Sequence, residues 1–177
     1  MKSLQNIKKT TLVLLAFMVT LFACKKEDTA TSGGSIPTNG WRIGTTNYTT
    51  VFSMRNAGQP NSIAVFDAIP GTNNSSNVAV LFNNITGIAA GTFKVVFKPN
   101  QSDLLANEIM IGASTGYNPT LSKPDKEYAT VPTLTVDATV TITGGKAKIV
   151  IPQINIVAIP ASPSSITTTF AGTIIEQ

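Results

Sequence analysis

Residues 133–151 read TLTVDATVTITGGKAKIVI, two runs that alternate apolar and polar side chains on either side of Gly144-Gly145. A period of two puts every second side chain on one face of a strand, and a glycine pair supplies the two positive-φ positions of a type I′ hairpin turn. That loop sets the register: Thr143 opposite Lys146, Ile142 opposite Ala147, Val140 opposite Ile149 and Ala138 opposite Ile151. The apolar residues then share one face, while Thr135, Asp137, Thr139, Thr141, Lys146 and Lys148 share the other, wet one. Pro152 has no N–H to give to a ladder, so it is expected to end the return strand, at an edge, a bulge or a crossing between sheets.

From Trp41 onward the same alternation recurs, and no stretch of a dozen residues keeps the 3.6-residue period of an amphipathic helix. Strands are expected at 48–54, 62–66, 78–82, 92–98, 108–113, 127–130, 133–143, 146–151, 154–159 and 166–175. Turn-forming sequences such as Asn56-Ala57-Gly58, Pro70-Gly71, Ala90-Gly91 and Pro99-Asn100 separate them. Only 102–106 is granted a helical turn. About eight to ten short strands without intervening helices predict an all-β domain over residues 40–177, an antiparallel β-sandwich, with a lipocalin-like barrel as the alternative. Val78, Val80 and Phe82 form one expected inner row and Phe93, Val95 and Phe97 another, with Lys94 and Lys98 facing water. Trp41, the first residue after a linker-like stretch, is expected to plug the core.

The amino terminus has a different composition. Lys2, Lys8 and Lys9 precede an apolar run, 12–23, that is broken only by Thr20. The run falls short of the roughly 20 apolar residues a bilayer span needs. It ends in Leu21-Phe22-Ala23-Cys24, which resembles the bacterial lipobox. The resemblance implies that 1–23 is a signal peptide cut before Cys24, that the Cys24 sulfur carries a diacylglyceryl group, and that the new amino group is acylated. Two or three acyl chains make a stable anchor where one is marginal.

Residues 24–39 then read as a flexible Gly/Ser/Thr/Pro tether with no packing face. Within it, Lys26 followed by Glu27 and Asp28 resembles the surface-export signal of Bacteroidota lipoproteins, although a charge run beside a signal also reads as a solvated spacer. Asp28-Thr29-Ala30 resembles the O-glycosylation motif of the same phylum, with Thr29 as acceptor. The Ala90-Gly91-Thr92-Phe93 turn into a strand, Tyr128 before a threonine-rich strand, the Gly144-Gly145 hairpin and the terminal TTFAGT strand (168–173) together resemble the small β-rich lipoproteins of Bacteroidota. What the resemblance implies is an outer-membrane protein, lipid-anchored and facing the cell exterior.

Charge and composition narrow the chemistry. Thirteen Lys and Arg face nine Asp and Glu, but three of the lysines lie in the expected signal, leaving ten against nine and a mature net charge of +1. The basic pI therefore gives little support to nucleic-acid binding. There is no histidine, and the only cysteine is Cys24. Serine-histidine triads, cysteine-histidine nucleophiles, Cys/His zinc sites and disulfides are excluded from the domain.

Seven acids remain in the domain: Asp67, Asp103, Glu108, Asp125, Glu127, Asp137 and Glu176. A glycosidase needs two of them facing each other across about 5–10 Å. None sits in a motif, and Asp137 and Glu176 alternate with the wet faces of their strands. A calcium loop wants clustered oxygens, and Lys126 stands between Asp125 and Glu127. No catalytic residue, metal or cofactor is expected.

The stretch 114–128 (STGYNPTLSKPDKEY) reads as a long loop, and Tyr117, Asn118, Asp125 and Tyr128 are the side chains that stack on sugar rings and hydrogen-bond their hydroxyls. The plainer reading makes it a surface loop whose tyrosines close one end of the sandwich. The sequence thus predicts a non-enzymatic binding or accessory module whose partners are the outer membrane, through the lipid anchor, and glycans or another surface protein. A lipocalin-like carrier of an apolar small molecule and a carboxylate-based glycan-active enzyme are the alternatives.

Overall fold

The computed structural model describes residues 35, 37–56, 61–84, 87–132, 136–159 and 167–177. The expectations for the signal peptide, Cys24, Lys26, Glu27, Asp28, Thr29 and the rest of the stretch to 34 lie outside the described residues. So do the strand starts at Thr133 and Ile166 and most of the Asn56-Ala57-Gly58 turn.

The protein is all-β. Its strands are β1 (Gly40–Ile43), β2 (Thr46–Thr49), β3 (Phe52–Arg55), β4 (Ser62–Phe66), β5 (Asn77–Phe82), β6 (Gly91–Val95), β7 (Glu108–Asn118), β8 (Lys123–Thr130), β9 (Val136–Thr143), β10 (Lys146–Ile159) and β11 (Thr167–Ile175). Among the described residues there is one 3-10 turn, Gln101–Asp103, which overlaps the start of the helical turn expected at 102–106. The strands form one connected sheet in the order β2-β1-β11-β10-β9-β6-β7-β5-β4-β3, with β8 bridging β7 and β10.

The β9–β10 hairpin has the register that its glycine pair dictates. Thr143 lies opposite Lys146, Ile142 opposite Ala147 and Val140 opposite Ile149. Gly144 and Gly145 have φ of 59° and 79°.

The sheet departs from the expected antiparallel sandwich in two ways. It is mixed, because β6 and β7 run parallel through Lys94↔Glu108 and Val95↔Ile109. A parallel pair needs a crossover of about a dozen residues, and 96–107 provides one. It is also one sheet folded over a single core, neither two separate sheets nor a clean barrel.

Two long strands make the folding-over possible by changing partners along their length. On one side β10 pairs with β9 over 146–150 and with β8 over 156–159. β7 pairs with β6 at 108–109 and with β8 over 112–118. Pro152 does not end the return strand: β10 runs on to Ile159, and its register against β11 shifts between Ile151 and Ile154. The missing N–H falls at a bulge, where no ladder bond is lost and the strand bends toward its second partner.

The single strand expected at 48–54 is also divided. Thr50 N–H donates to Asn39 at 3.1 Å, while the next N–H, of Val51, donates to Phe66 at 2.8 Å. Successive N–H groups of an extended chain point to opposite sides, so one step carries the backbone from β1 as neighbour to β4 as neighbour. β1 was not foreseen, because all four of its residues are buried and it shows no alternation.

Eight strands send side chains into one core that includes Trp41, Ile63, Val65, Val78, Val80, Phe82, Phe93, Val95, Ile109, Ile149, Ile151, Ile156 and Phe170. Phe82 meets Phe93 edge to face, with centroids 5.5 Å apart. Trp41 is in this core, as expected. Phe97 is not: it is 43% exposed. β6 stops at Val95, and Val96 turns to bond Ile109 and Thr130, so the alternation loses phase before Phe97.

Candidate functional site

The stretch expected as a long loop is instead a hairpin. Ser114 lies opposite Glu127, Thr115 opposite Lys126, Tyr117 opposite Pro124 and Asn118 opposite Lys123. The turn is short, and Asn118 caps it: its Oδ1 accepts the N–H groups of Thr120 at 3.0 Å and Leu121 at 3.2 Å. Pro124 fits in the ladder because β10 pairs with β8 only over 127–130, which leaves the outer edge at Pro124 without a strand partner among the described residues.

This hairpin is one wall of a cleft of about 830 Å³. The cleft lies where β1, β4, β7 and β10 end and β2, β5, β8 and β11 begin, so the antiparallel order gathers all these termini at one end of the sheet. Its volume is that of a small-ligand site. Thr45, Thr46, Ser76, Thr115 and Thr168 give it a hydroxyl lining, Tyr48 and Tyr128 give it two phenols, and Asp67, Asp125 and Lys126 are its charged residues.

The aromatic side is built on β1 and β2. Trp41 and Tyr48 are cross-strand partners, and their rings stack at 5.3 Å with 10° between planes. Trp41 is fully buried and Tyr48 half-buried, so the core side of the tyrosine is fixed and the remainder of its ring lines the cleft. Burial pushes the Tyr48 phenol above its ordinary value, and the neighbouring Tyr128 and Asp67 add to the shift. The phenol stays neutral and remains a hydrogen-bond donor across the physiological range.

Local backbone holds one carboxylate of the cleft and leaves room for the other. Asp67 follows β4 directly, and its Oδ1 accepts the Ser76 N–H at 2.6 Å while its own N–H donates to Ser76 at 3.1 Å. Asn74, at φ 62°, donates its N–H to Tyr117 at 2.8 Å, and Tyr117 donates back to Ser75 at 2.9 Å. The loop carrying Asp67 is thereby sewn to β7. Opposite Asp125, Gly116 has φ 67°, and a Cβ there would come within 2.6 Å of the Asp125 carboxylate. The absent side chain is the room in which that carboxylate lies.

The four side chains singled out in the sequence therefore divide. Asp125 and Tyr128 line the cleft, whereas Asn118 caps a turn and Tyr117 is half-buried and tied through its backbone to Asn74 and Ser75. Tyr48 and Asp67 were not anticipated as members of the site. Asp67 had a faint signal, a carboxylate at the end of an alternating strand before a Pro-Gly turn and an Asn/Ser-rich loop, while nothing near Tyr48 marks it. Asp137 faces water as expected. Glu176 is instead drawn into a 2.7 Å ion pair with Arg55.

Among the described residues no group of three Asp or Glu is placed to hold a metal ion, and no helix is long and apolar enough to cross a membrane. The cleft offers hydroxyls, phenols and carboxylates, which together serve hydrogen bonding and ring stacking. The chain matches no protein-family model, no curated protein and no solved structure.

Proposed function

We propose that this protein is a lipid-anchored module on the outside of an outer membrane, resembling Bacteroidota lipoproteins, and that its end cleft binds a hydroxyl-rich ligand, a glycan. The targeting half rests on the lipobox-like sequence ending at Cys24 and on Lys26, Glu27 and Asp28 behind it. Thr29 is the proposed glycan acceptor in the tether. The observation that supports the binding half is the pairing of Tyr48 and Tyr128 with hydroxyl and carboxylate groups in one open cleft. Aromatic rings stack on the apolar face of a sugar, and the polar groups around them orient its hydroxyls. The lipocalin-like reading has less support, because the positions inside the sheet are filled by Trp41, Phe82, Phe93 and Phe170.

A second reading, a glycan-active enzyme, is favoured by one observation: Asp67 and Asp125 line the same cleft. A pair of carboxylates is what glycoside hydrolysis uses. One experiment tests both readings. A glycan array probed with the protein should give hits that Tyr128→Ala weakens roughly tenfold; because Tyr128 also packs against the core, the variant should unfold at a lower midpoint yet remain folded at the assay temperature. Hits left intact by Tyr128→Ala would move the site elsewhere. Conversion of a bound oligosaccharide to shorter products, lost in Asp67→Asn, would establish the enzyme.

A further inference from the structure

We propose that the cleft selects glycans bearing a free ammonium group over their neutral counterparts. The inference rests on the glycan reading and gives it a chemical class.

Asp67 and Asp125 line the cleft, and neither is ion-paired among the described residues, where the ion pairs are Arg55 with Glu176 and Lys98 with Glu108. Asp67 is held in place before any ligand arrives, and Asp125 is exposed with room for its carboxylate beside Gly116. Ser76 N–H fixes one oxygen of Asp67, leaving the other available. The bare backbone of Gly116 accommodates the carboxylate of Asp125. Against the two carboxylates stands one cation of the lining, Lys126, which is exposed. The excess charge of the wall is negative, and the ligand supplies the missing partner.

The aromatic groups point the same way. The faces of Tyr48 and Tyr128 attract a cation through the ring quadrupole, and Trp41 stacked behind Tyr48 fixes that ring so that no ordering is needed on binding. Tyrosines beside carboxylates therefore suit one substituent, an ammonium, while the surrounding hydroxyls suit the rest of a sugar. An acidic sugar would meet two like charges instead.

The test compares, in mildly acidic buffer where the amines are protonated, a glucosamine tetrasaccharide with its fully N-acetylated form, in which each ammonium is replaced by a neutral acetamide. Titration calorimetry of the full chain at low ionic strength should give about fivefold or greater preference for the charged oligomer, the size of one or two partly exposed ion pairs. The preference should shrink as salt rises. Asp67→Asn keeps the oxygen that Ser76 N–H needs, so the Asp67→Asn, Asp125→Asn double variant should still fold. It should bind the two oligomers equally, while Lys126→Gln should widen the preference. Equal binding by the unaltered protein, with measurable affinity for both, would overturn the inference and leave the glycan reading standing. A preference that survives in the double variant would overturn it as well. Binding of neither oligomer would overturn both this inference and the choice of sugar on which it rests.

Discussion

Gly116 and Gly145 share a backbone conformation, φ 67° and 79°, but have different surroundings. A Cβ on Gly145 would meet nothing within 4 Å, whereas one on Gly116 would strike the Asp125 carboxylate. The pair separates the cost of a left-handed backbone from the cost of displacing a neighbour. Gly145→Ala should lower stability by about 1–2 kcal/mol, the cost of left-handed backbone for an L-residue. Gly116→Ala should lose that amount and weaken ligand binding too, since Asp125 must swing away. Denaturant unfolding of both variants, with titration of the better glycan ligand, checks this. A Gly116→Ala protein that binds unchanged would show that the placement of Asp125 is immaterial. Only half of this contrast was legible in the sequence. The Gly144-Gly145 turn is a local signal, while the partner of Gly116 lies nine residues away across a ladder.

Among the elements, β3 and β11 meet away from the cleft, near the β9–β10 turn. Arg55 donates to Glu176 at 2.7 and 3.0 Å and to the Gly145 carbonyl at 3.3 Å, and Glu176 also accepts the Ala147 N–H at 3.0 Å. The hydrogen bonds from Arg55 hold the Glu176 carboxyl below its ordinary value of 4.5; the Ala147 N–H helps, and burial opposes them. A lowered carboxyl pKa stabilises the fold at pH above the ordinary value, and that stability fades as pH falls through the lowered one. The pair is partly exposed, so its worth is at most about 1 kcal/mol. Glu176→Gln should therefore lower Tm by about 2–4 °C at neutral pH. The difference from the unaltered protein should shrink between neutral and strongly acid pH, as the carboxyl takes up its proton. An equal difference at both pH values would assign the loss to packing. Sequence alternation placed Glu176 on a wet face, and only the folding-over of the sheet brings the distant β3 to it.

At the scale of the molecule the sheet has two working ends. Residues 148–158 of β10 connect the level of Ile175, next to the Arg55–Glu176 ion pair, to that of Tyr128 in the cleft, about 30 Å at roughly 3.3 Å per residue. In chain order the proposed acyl anchor at Cys24 and the proposed tether precede β1. Cys24→Ser should abolish labelling by a radioactive lipid precursor and shift the protein from the membrane to the soluble fraction, with its unfolding midpoint unchanged. Undiminished labelling would remove the lipoprotein reading.

What the sequence determined by itself was whatever follows from neighbours along the chain. Alternation established the all-β class, the glycine pair established one hairpin and its register, and absent histidine and internal cysteine removed whole classes of chemistry. Tertiary structure decided what depends on which strands lie beside one another. It turned 114–128 from a loop into a hairpin, carried β10 past Pro152 on a bulge, ran β6 parallel to β7, and gathered Tyr48, Asp67, Asp125 and Tyr128 from three separate segments into one cleft. A period of two reports which face a side chain takes, but partner choice is a long-range event. It is fixed by how one core is filled from eight strands at once, and no local window of the chain encodes that.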